Sequence, residues 1–340
     1  MKGVFKALIG LFVIGSTLFV IGAVASIWWA SQQFTKAGDF DTSIEVTIPQ
    51  GSNISGIAEL LLYHGVLENY PISTTIFRVG GRITGQASTL KAGEYEIPAQ
   101  ASMKDILDLL ESGKVIQRQI TLREGLTNWE IKQLLLGHEG LAKVDDIAMQ
   151  PEGTYLPETY SYQTGDSAVD IMNRMHIALE QTLNELWADR ADGLPLQTKE
   201  EALILASIIE KETAVASERK KVAGVFINRL KRGIPLQTDP TVIYALTLGE
   251  HKSEGQGPLG RRLLKKDLET DSPYNTYKYS GLPPTPIANA GRAAIEAALH
   301  PDAHDYIYFV ADGSGGHAFA RTLAEHNANV VRWRKIRKAQ

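Results

Sequence analysis

The sequence predicts an α+β protein carried on one N-terminal membrane helix. Three observations lead there: a charge-free apolar run near the N-terminus, short β-branched strands alternating with amphipathic helices in the first half, and a mainly helical second half that gives way to segments rich in Gly, Pro and Tyr. With 340 residues, 44% hydrophobic and 22% charged, the chain can build two or three modest domains, and disordered or fibrous classes are excluded. Three of the 35 Lys and Arg residues precede residue 37, whereas all 39 Asp and Glu residues follow it. Residues 37–340 therefore hold 32 bases against 39 acids, a net charge of −7 that suits nucleic acid poorly as a partner. The absence of cysteine removes disulfides, thiolate metal sites, a Cys nucleophile and lipidated cysteines.

The apolar run extends from Ala7 to Ala30, 24 residues without a charge. As a helix rising 1.5 Å per residue it spans a hydrocarbon core of roughly 30 Å. Lys2 and Lys6 precede it, and Asp39, Asp41 and Glu45 follow soon after Lys36. The positive-inside rule then places the N-terminus in the cytoplasm and everything after Trp29 outside it. Ala23-Val24-Ala25 has the form of a signal-peptide cleavage site, but the apolar run continues beyond it and Trp28-Trp29 suit an interfacial belt, so a retained anchor is favoured. Residues 31–43 are polar and aperiodic and read as a tether.

Ile44–Leu61 and Arg118–Leu135 share one pattern: a β-branched strand, a Gly turn, a capping residue and an amphipathic helix. At an offset of 74 residues, Thr47/Thr121, Gly51/Gly125, Ile57/Ile131, Leu60/Leu134 and Leu61/Leu135 coincide, either through related architecture or through shared β-turn-α grammar. Between them a helix over Ile72–Val79, a strand over Glu94–Ile97 and a helix over Met103–Leu110 ending at Gly113 complete a small α+β module. The expected boundaries are 1–36 for the cytoplasmic tip and anchor, 37–117 for tether and module, and 118–340 for a mixed helical and β domain. In that domain helices are predicted at Ala168–Leu186, Lys199–Thr213 and Glu218–Leu230. Irregular segments at 237–244, 271–277 and 281–291 follow, then a strand over Asp305–Asp312 turning at Gly313–His317. Such irregular segments on a regular scaffold are where grooves are built.

Ala202–Thr213 reads ALILASIIEKET, apolar on nearly every face and so a buried helix. Glu212 has Ile208, Ile209 and Leu205 as its i−4, i−3 and i−7 neighbours, whereas Glu210 has Ala206, Ser207 and Leu203. Burial raises a carboxyl pKa, as a general acid near neutral pH requires, so Glu212 is the better acid and Glu210 the second choice. The alternative for either is an ion pair with Lys211, Arg219 or Lys220. Gln237, Thr238, Asp239, Tyr274, Asn275 and Tyr277 offer aromatic faces and paired donors and acceptors suited to sugars, although the same types serve as turn fillers. His300 and His304 have metal-ligand spacing but enclose Pro301 and lack an evident third ligand, and no GxSxG elbow occurs. The basic runs Arg261–Lys266 and Arg332–Lys338 read as solvated faces.

SIIEKETAVASERKKVAGVFINRL (207–230), LQTDPTVIYAL (236–246), SPYNTY (272–277), GLPPTPI (281–287) and YFVADGSGGHAFARTLAEHN (308–327) closely resemble the MltG/YceG family of membrane-anchored endolytic murein transglycosylases. The resemblance covers essentially the whole chain. It implies a LysM-like module and a catalytic domain that cuts peptidoglycan glycan strands internally and without water, leaving 1,6-anhydro ends. It places the catalytic glutamate on Glu212, with Thr213, Gln237, Thr238, Asp239, Tyr274, Asn275, Tyr277, Pro283 and His317 around the substrate. No metal or cofactor is implied. Peptidoglycan strands, the inner membrane and peptidoglycan synthases are the implied partners. The rival reading is a non-catalytic, membrane-anchored peptidoglycan-binding scaffold. Thr285-Pro286-Ile287, Ala290 and a longer 250–266 stretch depart from the family pattern and bear on groove shape.

Overall fold

The computed structural model describes residues 2–251 and 257–339, so the part of the 250–266 stretch from 252 to 256 lies outside the described residues. The chain forms two compact units, 1–118 and 119–340.

The first unit begins with helix α1 (Lys2–Thr35). Its segment Ile9–Thr35 is, among the described residues, the one helix long and apolar enough to cross a membrane. The expected tether is corrected over residues 31–35 only. The helix runs on through Thr35 because Ala30 and Phe34, one turn apart, find an apolar core to pack on, and the Ser31 and Thr35 hydroxyls return to carbonyls of the preceding turn. Beyond it, Lys36 pairs with Glu68 at 2.8 Å, and the backbone of Gly38 and Phe40 bonds to that of Gln100.

Strand β1 (Ile44–Ile48) leads through Gly51 into α2 (Ile54–Tyr63), then α3 (Ser73–Ile83), β2 (Gly93–Ile97) and α4 (Met103–Ser112). β1 and β2 pair antiparallel, from Ile44 opposite Ile97 to Ile48 opposite Gly93. Alternation along them turns Val46, Ile48, Tyr95 and Ile97 inward onto Phe77, Leu61 and Leu107. Asn53 caps α2, Ser102 and Asp105 form a capping box on α4, and Gly113 ends α4 in the left-handed region at φ +70°.

The second unit repeats the strand-turn-helix opening with β3 (Arg118–Thr121) and α5 (Asn128–Gly137). The correspondence extends to backbone detail. Gly51 and Gly125 have φ of +77° and +76°, and the N-caps Asn53 and Thr127 keep the 74-residue offset. Strand β4 (Thr159–Tyr162) pairs with β3, and helices α6 (Ala168–Ala188), α7 (Lys199–Glu212), α8 (Arg219–Lys231), α9 (Asp239–Thr247) and α10 (Arg292–Leu299) follow. The antiparallel hairpin β5 (Tyr308–Ala311) and β6 (His317–Ala320) leads into α11 (Leu323–Ala339).

Every residue of α7 from Ala202 to Ile209 is buried, with α8, α10 and α6 packed around it. Ser207, the polar exception in that run, donates to Ile204 O and accepts from Ile287 N, so its hydroxyl is satisfied. Helix α9 corrects the reading of 237–244 as irregular. Pro240 sits in its first turn, where a missing N–H costs no hydrogen bond, so a residue that read as a breaker is a starter.

Candidate active site

Helix α7 stops at Glu212. Thr213 turns to extended backbone at φ −138° and is buried, its hydroxyl accepting from Val215 N at 3.1 Å. The Glu212 carboxyl therefore leaves the last turn of an apolar helix and enters the wall of a cavity of about 450 Å³. Burial pushes its pKa up. The Thr238 hydroxyl, which donates to Oε1, pulls it down, nearby Asp239 raises it and His317 lowers it. The negative end of the helix dipole acts in the same sense as burial. The ion-pair alternative is not what forms: Lys211 donates to Gly125 O, Arg219 faces Glu124 and Lys220 pairs with Glu296.

The segment that meets Glu212 is held from two sides. Arg229 of α8 is only 7% exposed and donates to Ile307 O, Pro235 O, Leu236 O and Gln237 Oε1 at 2.7 to 3.2 Å, its guanidinium 5.2 Å from the Tyr308 ring centroid. A buried charge wrapped in carbonyls fixes the 235–237 turn against the start of β5. Gln237 adopts φ +54°, a left-handed conformation costly for a residue with a side chain, and its N–H bonds Thr276 O. Thr238 N donates to Thr276 Oγ1, and Thr241 Oγ1 bonds Thr238 O, so the Thr238 hydroxyl is left to Glu212 rather than to capping α9.

Asp239 opens α9, where the helix N-terminus favours negative charge, and accepts from Tyr277 OH at 2.6 Å. Burial, and then Asp239 itself, push the Tyr277 phenol far up, so it stays a donor. Glu212, Gln237, Asp239 and Tyr277 thus face one cavity, opposite Tyr308, Phe309 and Val310 of β5 and beside Leu323 and His326 of α11. Two carboxyls, a phenol and aromatic faces in a partly open cavity of this size match a sugar ring, with hydroxyls for the polar groups and C–H faces for the aromatics.

Other expected residues stand back from the cavity. Asn275 is fully buried, its amide donating to Leu268 O and Thr270 O and accepting from Tyr277 N, so it shapes the loop that presents Tyr277. Tyr274 leans on Tyr244 at 4.9 Å and bonds Thr285, and Pro283 is buried. His317 is clasped by Glu218 through Nδ1 at 2.7 Å and through its backbone N–H at 3.0 Å. Its ring abuts Phe309, so it acts on the cavity from behind. Glu210 projects elsewhere, accepting from Gly291 N at 3.0 Å; burial raises its pKa, and that bond opposes the rise. Arg229, Glu218, Tyr308 and Phe309 were not singled out by the sequence, although each lies within a motif that carries the resemblance. In the basic runs, Arg261 is bidentate to Asp267, and within Arg332–Lys338 of α11 the Arg and Lys residues are exposed while Trp333 and Ile336 turn toward Gly313.

Among characterised proteins, one from Bacillus subtilis named endolytic murein transglycosylase is 35% identical over 319 residues, covering 85% of this chain and 84% of that protein. A protein of the same name from Streptococcus pneumoniae is 30% identical over 336 residues, covering 85% of this chain and 58% of that one. The 2.6 Å crystal structure of a yceG-like protein from Listeria monocytogenes is 33% identical, with 85% of this chain and 99% of that chain covered and a TM-score of 0.46. The match to the YceG-like family runs over residues 46–332, through the module, the Glu212 helix and the cavity-lining segments, and the chain belongs to that family.

Proposed function

We propose that this chain is an endolytic murein transglycosylase that acts on nascent glycan strands and limits their elongation. It cleaves the β-1,4 bond between N-acetylmuramic acid and N-acetylglucosamine without water. The observation that carries the reading is Glu212, a carboxyl on a cavity wall whose burial favours the protonated form. In the proposed reaction Glu212 donates its proton to the glycosidic oxygen as the C1–O bond breaks. The carboxylate so formed takes the proton of the muramic C6 hydroxyl, whose oxygen bonds C1 and closes the 1,6-anhydro ring. The proton returns to Glu212, so the site is restored without a co-reactant. Asp239, held by Tyr277, supplies negative charge opposite the oxocarbenium-like centre, and Tyr277 and Tyr308 offer faces to the sugar rings.

Residues 118–340 are read as the catalytic domain and residues 44–117 as a LysM-like module that docks the domain on glycan. The β-α-α-β order of β1, α2, α3 and β2, with its antiparallel strand pair, supports the second assignment. Helix α1 is read as a single-pass inner-membrane anchor with a cytoplasmic N-terminus, supported by its length, its apolarity and Lys2 and Lys6.

The test is Glu212→Gln in the full chain on uncrosslinked glycan, with ends identified by mass spectrometry. Loss of a proton shuttle predicts a fall of about 10²–10⁴-fold in 1,6-anhydro ends, while Glu210→Gln is milder. Near-normal activity of the Glu212 variant removes the mechanism. Asp239 beside Glu212 also favours a second reading, ordinary two-carboxylate hydrolysis. Reducing ends from the unaltered protein would select it.

A further inference from the structure

The last turns of α1 are built into the first unit. Ala30 and Phe34 pack on its core, and at Gly80 of α3 a Cβ would stand 2.2 Å from the Phe34 ring. Five residues earlier, Trp29 meets Tyr70 edge-on with ring centroids 6.2 Å apart. The helix read as crossing the bilayer therefore fixes the height of residues 70–83 above it. From Lys6 to Trp29 the helix rises about 34 Å, which brings Trp28 and Trp29 to the outer edge of a hydrocarbon core about 30 Å thick. Tyr70 is held at that level, and the Phe34–Gly80 contact lies about 7.5 Å farther out, at the outer margin of the headgroup layer.

At this level the surface is apolar and basic. Pro71 is exposed, Ile72 at the N-cap of α3 is 45% exposed, and Val79 and Ile83, one turn apart on one face of α3, are 45% and 81% exposed. Arg78 and Arg82 flank that face, α3 contains no acid, and the side-chain bonds of Arg78 go to Thr74 O and Thr75 Oγ1 rather than to a carboxylate. An apolar stripe edged by cations is the composition of a helix lying at a lipid surface.

We propose that residues 70–83 form a membrane-contact surface. Pro71 and Ile72, beside Tyr70, enter the boundary of the outer leaflet, Val79 and Ile83 rest on it, and Arg78 and Arg82 meet lipid phosphates. The inference rests on α1 spanning the membrane and deepens that reading: the module is gripped at the bilayer by two elements rather than hung on a leash.

Because the chain has no cysteine, single substitutions carry an environment-sensitive fluorophore without background labelling. The full chain labelled at Ile72→Cys, at Val20→Cys or at exposed Glu96→Cys is placed in vesicles of phosphatidylglycerol and phosphatidylcholine. Each is challenged with aqueous iodide and with lipid-attached spin labels. Iodide quenching at 72 is expected to be several-fold weaker than at 96, with strong lipid-borne quenching. In an Arg78→Gln, Arg82→Gln background the lipid-borne quenching at 72 weakens and loses its dependence on phosphatidylglycerol content. A label at 72 as open to iodide as that at 96, with 20 in lipid, overturns this inference alone. A label at 20 open to iodide overturns the membrane reading beneath it.

Discussion

Thr238→Val removes one hydroxyl while keeping the shape of a residue that is 2% exposed, and it tests whether the balance of groups around Glu212 governs the proposed reaction. The hydroxyl donates to the Glu212 carboxyl and pulls its pKa down, whereas Asp239 acts in the opposite sense. A hydrogen bond to a charged acceptor contributes about 1.5–3 kcal/mol. Its loss should disfavour the carboxylate by a factor of about 10–100. The acid form of Glu212 then survives to higher pH, so the alkaline limb of kcat/KM moves upward. At the same time kcat falls, because an acid that holds its proton more tightly gives it up less readily to the glycosidic oxygen. Asp239→Asn removes the neighbouring negative charge and should move the same limb downward, and Thr238→Ser should leave it in place. The assay is the pH profile of anhydro-end formation on uncrosslinked glycan. Limbs that shift in the same direction for Thr238→Val and Asp239→Asn, or a Thr238→Val limb that moves downward, refute the electrostatic account.

Two further outcomes concern stability. Glu152 accepts from Asn128 N, Gly153 N and Tyr244 OH, with Glu130 close by, and burial holds it up to about 7 against an ordinary 4.5. A raised carboxyl contributes stability that is complete below the unfolded pKa and lost as pH rises through the folded one. Unfolding free energies from urea titrations should therefore fall between about pH 4.5 and 7, by about 3 kcal/mol in all, and Glu152→Gln should flatten that fall; an unchanged slope contradicts the assignment. Asn275→Ala deletes three hydrogen bonds of the loop beneath Tyr277 and should cost about 2–4 kcal/mol in urea unfolding. It should lower activity without moving the pH profile, and a shifted profile would instead place Asn275 in the electrostatics of the cavity.

The features readable from sequence were those in which one physical force dominates. A charge-free run of 24 residues has few alternatives to a long apolar helix, and the apolar neighbours of Glu212 on the wheel, Ile208 and Ile209, are both fully buried. Polar residues in the irregular segments resisted the same reading. Asp239 and Tyr277 face the cavity while Asn275 and Tyr274 serve the loop behind it, and the two tasks draw on the same side-chain types. Helix α9 was hidden because a proline opens it. The helical continuation through Thr35 was hidden because its stabilising partner, the core that receives Phe34, is assembled from distant sequence. Arg229 was hidden among the bases closing α8, and its value lies in four acceptors contributed by the 235–237 turn and residue 307.

The proposed chemistry asks one carboxyl to hold a proton, give it up and take another within a turnover. A carboxyl that was simply buried would hold its proton too tightly to give it to the glycosidic oxygen, and one that was simply hydrogen-bonded would arrive already ionised. At Glu212 the two tendencies are set against each other. Burial and Asp239 favour the acid, while the Thr238 hydroxyl and the His317 ring favour the carboxylate. Each opposing group is in turn fixed by the fold: Thr238 through Thr276, His317 through Glu218, and Asp239 through Tyr277. The reach of the site thus extends from Glu212 to the residues that hold its neighbours in place, and it is there that changes in sequence would retune the acid without touching it.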